Sequence, residues 1–204
     1  KMSNGSAGLA LDRYKKERKE VLYKVKLLSV AIPCYNSEAY MRHCIDTLLT
    51  GGDEVEILIV DDGSTKDRTP EIADEYEKNY PGICRAIHQE NGGHGEAVNA
   101  GLRNAQGIYY KVVDSDDWVD ENAYKEVLAT LRRFVYGNQT LDMLICNFVY
   151  EKQGAKHKKV MNYHTALPKD QIFYLERCEG IHAGTVHSHA FGHLPDRASA
   201  SVQF

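Results

Sequence analysis

Between residues 27 and 150, short apolar runs of strand length alternate with longer amphipathic segments of helix length, and no other feature restricts the fold as much. Residues 27–32 form a continuous apolar run ending at Pro33, the pattern of a strand buried on both faces. Residues 37–50 predict a helix capped by Ser37 and stopped by Gly51 and Gly52. A second strand over 55–60 closes in Asp61-Asp62-Gly63-Ser64, and a helix over 70–80 follows, with Thr69 as cap and Pro70 at its first position. The third strand is expected over 83–88. A helix over 95–105 is entered through Asn91-Gly92-Gly93-His94, and a fourth strand over 108–113 runs into Asp114-Ser115-Asp116-Asp117. A helix over 121–135, capped by Asp120, precedes a strand over 142–150 and a further one over 156–163. Such spacing implies βαβ units: an α/β fold with a mostly parallel sheet and helices on both of its faces.

Composition sets the surroundings of this unit. The chain has 204 residues, and 25 basic against 29 acidic side chains give a net charge of −4, so no global attraction to nucleic acid or anionic lipid is expected. No run approaches the roughly 20 apolar residues of a membrane span, and residues 1–8 lack an apolar signal region. Those first residues read as a flexible tail. Residues 12–26 read as a charged helix, whose cluster Arg13, Lys15, Lys16, Arg18 and Lys19 is either a solvated face or a contact for the inner face of a membrane. Five scattered cysteines without a CxxC pair point to reduced thiols and a cytoplasmic setting. The expected division is therefore a tail and charged helix over 1–26, one α/β domain over 27–175 and an irregular end over 176–204.

In parallel sheets, ligands bind at the carboxyl ends of the strands. Three polar, conformationally special segments fall there: Cys34-Tyr35-Asn36, Asp61-Asp62-Gly63-Ser64 and Asp114-Ser115-Asp116-Asp117. Asp114, Asp116 and Asp117 are either turn chemistry or a seat for Mg²⁺ or Mn²⁺, which take oxygen ligands and share them with substrate phosphates. Asp61-Asp62-Gly63-Ser64 is either a tight turn, with Asp61 stabilising its own backbone, or a place where Asp62 accepts a hydrogen bond from a planar N–H donor such as the imide of uracil. The glycines at 92, 93 and 95 free backbone N–H groups at a helix start, which suits an anion. His94 is either a contact for phosphate or sugar or a plain loop histidine. The run is not G-x-G-x-x-G, and no G-x-x-x-x-G-K-[ST] occurs, which disfavours a dinucleotide site and excludes a P-loop.

Taken together, residues 29–36, 59–65, 89–93, 99–101 and 113–118 resemble, in order and spacing, the motifs of the family 2 glycosyltransferases. The resemblance covers roughly residues 27–150, and Gly92-Gly93-His94-Gly95 with Asn99 looks like a bacterial subgroup. It implies a GT-A fold, a nucleoside-diphosphate sugar donor, usually UDP-linked, and transfer to an acceptor hydroxyl with inversion, as in polysaccharide assembly. It implies that Pro33 and Tyr35 frame the base, Tyr35 by stacking, and that Asp62 accepts from the base imide. Asp114 is implied at the ribose or sugar, Asp116 as ligand of Mn²⁺ or Mg²⁺, and Asn99 with the Gly93 backbone along the sugar–phosphate path. A carbohydrate or lipid-linked acceptor is the implied second substrate.

Transfer also needs a general base on the acceptor side. No motif marks one, and beyond residue 175 only Glu179 and Asp196 offer carboxylates well past the acidic cluster, Asp196 being the first candidate. The same stretch holds Cys178, His182, His187, His189 and His193 at spacings that fit no standard zinc pattern, and reads as an irregular, truncated or altered end. Two other functions compete with the transferase. One is a nucleotide-sugar-binding domain without turnover. The other, a nucleotidyltransferase, is disfavoured because Pro33-Cys34-Tyr35-Asn36 stands where its glycine-rich, basic loop belongs.

Overall fold

The alternation of side chains along each strand decides the layers. The computed structural model describes residues 26–150, 159–163, 171–172 and 190–193. Strand β1 (Leu28–Cys34) lies between β2 (Val55–Asp61) and β4 (Tyr109–Val112), and β2 pairs on its far side with β3 (Cys84–His88); all three pairings are parallel. Leu28, Val30, Ile32, Ile57 and Ile59 turn to one face. There they meet Met41, Cys44, Ile45 and Leu48 of helix α1 (Met41–Leu49), Ile72 and Ala73 of α2 (Thr69–Asn79) and Leu128 and Leu131 of α4 (Glu121–Tyr136). Ala31, Leu58 and Val60 turn to the other face, where helix α3 (His94–Asn104) packs. The parallel sheet with helices on both faces is therefore as expected.

β1 runs two residues further than its apolar run suggests. Ala31 O accepts from Val113 N on the β4 side, and Pro33, of the same parity, turns its nitrogen the same way. The β1–β4 ladder stops at Ala31↔Val112, so the missing N–H of Pro33 costs no ladder bond.

Beyond β4 the sheet continues antiparallel, in the order β3-β2-β1-β4-β8-β5, with β5 at Met143–Ile145 and β8 at Ala190–His193. The strand expected over 142–150 is thus two strands. The chain leaves the main sheet at Cys146 and Asn147, and β6 (Phe148–Tyr150) pairs instead with β7 (Lys159–Met161). Asn147 Oδ1 holds this departure by accepting from Tyr163 N at 3.0 Å. β8 falls within the 176–204 stretch read as irregular. Backbone pairing with a partner on each side forms a four-residue strand without any apolar alternation to announce it. The segment 12–25 and the remainder of the 176–204 stretch lie outside the described residues.

Two helix starts also differ. α1 begins at Met41 rather than Ser37, with no side-chain cap, and α2 begins at Thr69 with Arg68 before it. The hydroxyls expected as caps are engaged between loops: Thr69 Oγ1 accepts from Ser37 N at 2.7 Å, and Ser37 Oγ accepts from Tyr35 N at 3.1 Å. Asp120 does cap α4, accepting from Ala123 N at 2.9 Å.

At the opposite edge of the sheet, the buried Glu56 carboxylate is satisfied by Ser29 Oγ at 3.0 Å and Gln106 N at 2.9 Å, with the Arg85 guanidinium 3.6 Å away. A buried charge persists only with such partners, and these pin the turn that feeds β4.

Helix α3 approaches the sheet closely at Gly101, where a Cβ would stand 2.5 Å from Ala31 Cβ and 3.0 Å from Tyr110 Oη. Tyr110 Oη meanwhile donates to Val98 O at 2.8 Å, fixing the helix over β4. Gly101→Ala is therefore expected to lower unfolding stability in urea by about 1–2 kcal/mol, overpacking outweighing the gain in helix propensity. A stabilised variant would show that the helix has room to lift.

At the end of β3, the His88 ring bridges two carboxylates, Nδ1 3.0 Å from Asp61 Oδ2 and Nε2 3.1 Å from Asp74 Oδ1. Burial favours the neutral ring, but the hydrogen bonds and charges of Asp61 and Asp74 outweigh it and hold the pKa above its ordinary value. A raised folded-state pKa gives stability that is full below the unfolded value of about 6.5 and is lost as pH rises through the folded value. The melting-temperature gap between the parent chain and His88→Gln should accordingly narrow between about pH 5.5 and pH 8.5. A gap constant across that range would mean that the bridge carries no proton-linked stability.

Candidate functional site

The carboxyl ends of β1, β2 and β4 lead into three loops that are bonded to one another. Asn36, after β1, sits in the left-handed region at φ 51°, a conformation asparagine tolerates better than most residues. Its N donates to Ser64 Oγ at 2.9 Å, and its Oδ1 accepts from Thr65 N at 3.3 Å and Lys66 N at 3.0 Å. Asp67 adds a second staple, accepting from Glu38 N at 3.0 Å and Thr69 N at 3.1 Å. Its carboxyl is held below the ordinary range: partial burial opposes this, and the bonds from Thr69 and Glu38 prevail.

The two aspartates ending β2 have separate tasks. Asp61 Oδ1 accepts from Ser64 N at 3.0 Å, the turn chemistry expected of it. Gly63 completes that turn at φ +70°, and a Cβ there would lie 2.8 Å from Asn91 N, so the turn rests directly on the loop after β3. Asp62 is buried. Its Oδ1 accepts from Gln89 Nε2 at 2.7 Å and Gly92 N at 2.8 Å, and its Oδ2 from Gly93 N at 2.8 Å. The anion held by the glycine amides is thus the protein's own carboxylate. An ionised carboxylate has about four acceptor positions, and these three bonds leave room at Oδ2.

Beyond β4, Asp114, Asp116 and Asp117 are all exposed, in a turn closed by Asp117 N donating to Asp114 O at 2.9 Å. Cys44 of α1 supports the turn from below, its thiol 3.6 Å from Asp114 O. Partial burial, then the charges of Asp114 and Asp116, push the Asp117 carboxyl up, with Lys111 opposing. Lys111 stands on β4 behind the cluster. Burial brings its ammonium down to about 8 against the attraction of Asp114 and Asp117. His94, opening α3, faces the cluster with Nε2 3.8 Å from Asp114 Oδ1.

Of the residues singled out from sequence, Asp62 and Gly93 are in direct contact, and His94 joins Gly93 to Asp114. Asp116 sits in the same acidic turn as Asp114. Tyr35 is 50% exposed and free to meet a planar ligand, whereas Pro33 is buried within β1. Asn99 is half-buried in the second turn of α3. Asp196, Glu179, Cys178, His182, His187 and His189 lie outside the described residues. Gln89, Lys111 and the Ser37–Ser115 hydroxyl pair, 2.9 Å apart, were not singled out. Lys111 left a signal as a charge interrupting an otherwise apolar strand, and Gln89 as part of the 89–93 motif.

The donor chemistry fits a hard divalent cation: three carboxylates in one turn, all oxygen donors. No group of three or more His, Cys, Asp or Glu side chains among the described residues is arranged to hold a metal unaided. The described thiols of Cys34, Cys44, Cys84 and Cys146 are free, and burial raises all four, Cys84 to about 12. No described helix is long and apolar enough to cross a membrane.

Comparison with known proteins agrees with this geometry. EpsH of Bacillus subtilis (strain 168) is 38% identical over 125 residues, 61% of this chain and 34% of EpsH. Glycosyltransferase GlyG of Streptococcus pneumoniae is 40% identical over 119 residues, covering 55% of this chain and 39% of GlyG. The crystal structure of S. aureus TarS 1–349 in complex with UDP-GlcNAc superimposes with a TM-score of 0.50 at 30% identity, over 58% of this chain and 33% of that one. The chain spans about a third of the length of the first curated relatives it matches. The family model for glycosyl transferase family 2 matches residues 29–192, running into β8. The chain belongs to glycosyl transferase family 2, with the GT-A-like α/β fold of its structural relatives.

Proposed function

We propose that this chain forms the donor side of a glycosyltransferase that moves a sugar from a nucleoside-diphosphate sugar, UDP-linked, to an acceptor hydroxyl with inversion. The observation that carries this reading is the joining of Asp62 to the acidic turn through the start of α3, within the segment matched by the family. The S. aureus TarS relative was crystallised with UDP and with UDP-GlcNAc, which supports a UDP-linked donor.

In this reading Tyr35 stacks on the base, and the open position of Asp62 Oδ2 accepts the imide proton. Pro33, buried beneath Tyr35's loop, sets the direction in which that loop leaves the sheet. Asp114 contacts the ribose or sugar, and Gly93 and Asn99 line the path of the sugar and diphosphate. Asp116 holds Mn²⁺ or Mg²⁺, which when bound offsets the charge of the leaving diphosphate. The acceptor, a carbohydrate or lipid-linked hydroxyl, approaches from the opposite face and gives its proton to a general base, for which Asp196 is the candidate.

Titration calorimetry with UDP tests the donor side. UDP should bind more tightly with Mn²⁺ than with chelator, and Asp116→Ala should remove that difference. Asp120→Ala, by contrast, should cost only about 1 kcal/mol of helix capping. Equal effects of the two substitutions on binding would exclude the assignment of Asp116.

Asp62→Ala has two expected consequences, because the carboxylate both faces the base and holds the start of α3. Affinity for UDP should fall at least about tenfold, and stability by about 1–3 kcal/mol as the Gly92 and Gly93 amides lose their acceptor. Unchanged UDP affinity in a destabilised variant would confine Asp62 to the fold. Incubation with labelled UDP-sugars then separates the two functional readings, since binding without hydrolysis or transfer describes a donor-binding domain alone.

A further inference from the structure

Ser115 stands between Asp114 and Asp116, and its hydroxyl donates to Ser37 Oγ at 2.9 Å. Ser37 is only 6% exposed. The same Oγ accepts from Tyr35 N at 3.1 Å, while Ser37 N donates to Thr69 Oγ1 at 2.7 Å. One buried oxygen therefore touches both the backbone of Tyr35 and the turn that carries the acidic cluster. The turn is also held by Cys44, by its own Asp117-to-Asp114 bond and by Val119 N donating to Thr47 Oγ1 at 3.3 Å, and Ser115 is the residue that ties it to the loop of Tyr35.

We propose that Ser115 and Ser37 are positioning residues that couple occupation of the acidic turn to the placement of Tyr35, so that cation and nucleotide base each favour the binding of the other. The proposal rests on the donor-site reading above. It adds that the two halves of the site, metal and base, are not independent, and names the bond between them. Coupling of this kind is reciprocal: whatever the cation adds to nucleotide affinity, the nucleotide adds to cation affinity. A hydrogen bond between neutral hydroxyls changes an equilibrium constant by a factor of about 2 to 10, which bounds the effect.

The test is the ratio of UDP dissociation constants without and with Mn²⁺, measured by calorimetry on the whole chain. In Ser115→Ala this ratio is expected to fall about fivefold, while metal-free UDP affinity and the melting temperature stay close to those of the parent. Ser115→Thr, which keeps the hydroxyl, should retain the parent ratio. Ser37→Ala removes the same link from the other side, and the double variant should lose no more than the larger single loss. A ratio unchanged in Ser115→Ala, or losses that add in the double variant, would overturn the proposal. A ratio of one in the parent chain would overturn the metal reading beneath it as well, and that outcome is visible before any variant is made.

Discussion

The buried carboxylate of Asp62 is the interaction on which the site depends. An ionised group at the end of an interior strand is tolerable only when hydrogen bonds replace its lost water. The Gly92 and Gly93 amides and the Gln89 side chain supply three. In doing so they define where α3 starts, and therefore where His94 faces the acidic turn after β4. The neighbouring Asp61 does the equivalent for the turn after β2, held between Ser64 N and His88. Two adjacent carboxylates thus organise the loops after β2 and β3, and Gly63 admits a backbone approach by Asn91 that a Cβ would block.

The same economy explains the uncapped helices. Ser37 and Thr69 carry the side chains that normally cap a helix start, yet both hydroxyls bond a neighbouring loop instead. α1 and α2 consequently lose a local bond, while the loops after β1, β2 and β4 become one hydrogen-bonded assembly. The helices can bear this because their apolar faces are anchored in the main core, with Met41, Ile45, Leu48 and Ile72 almost wholly buried. Packing keeps the helices in place, and the polar groups are released to build the rim of the sheet.

Much of the fold was legible because strand and helix periods differ and glycine or proline marks most boundaries. The four parallel strands and four helices follow the apolar pattern to within a few residues. What was not legible is pairing that rests on backbone alone: β8 has no period to betray it, and the division of the 142–150 run depends on which partner each half finds. The aspartates of the site were readable by type and position, since strand ends of a parallel sheet are where ligands bind. Their partners were not. That Asp62 is bonded by Gly92 and Gly93 is a contact across 30 and 31 residues of sequence, set by the register of β2 against β3 and invisible to spacing. Ser37 with Ser115, 78 residues apart, is hidden for the same reason.

The charge balance of the site then restricts how a diphosphate is held. The chain is net negative at −4, and the acidic turn adds three exposed carboxylates at the point of binding, so the bare surface repels an anion. The Gly92 and Gly93 amides before α3, which would ordinarily answer that charge, are already taken by Asp62. Lys111 stands behind the turn, where its ammonium moderates the carboxylates rather than meeting a ligand in front of them. Among the described residues, His94 brings a basic side chain to the front, with Nε2 3.8 Å from Asp114 Oδ1. In the donor-binding reading, a cation on the acidic turn would offset charge that these described groups do not. Burial, and then the charges of Asp114 and Asp116, push the Asp117 carboxyl up, which is the standing cost of keeping that turn ready.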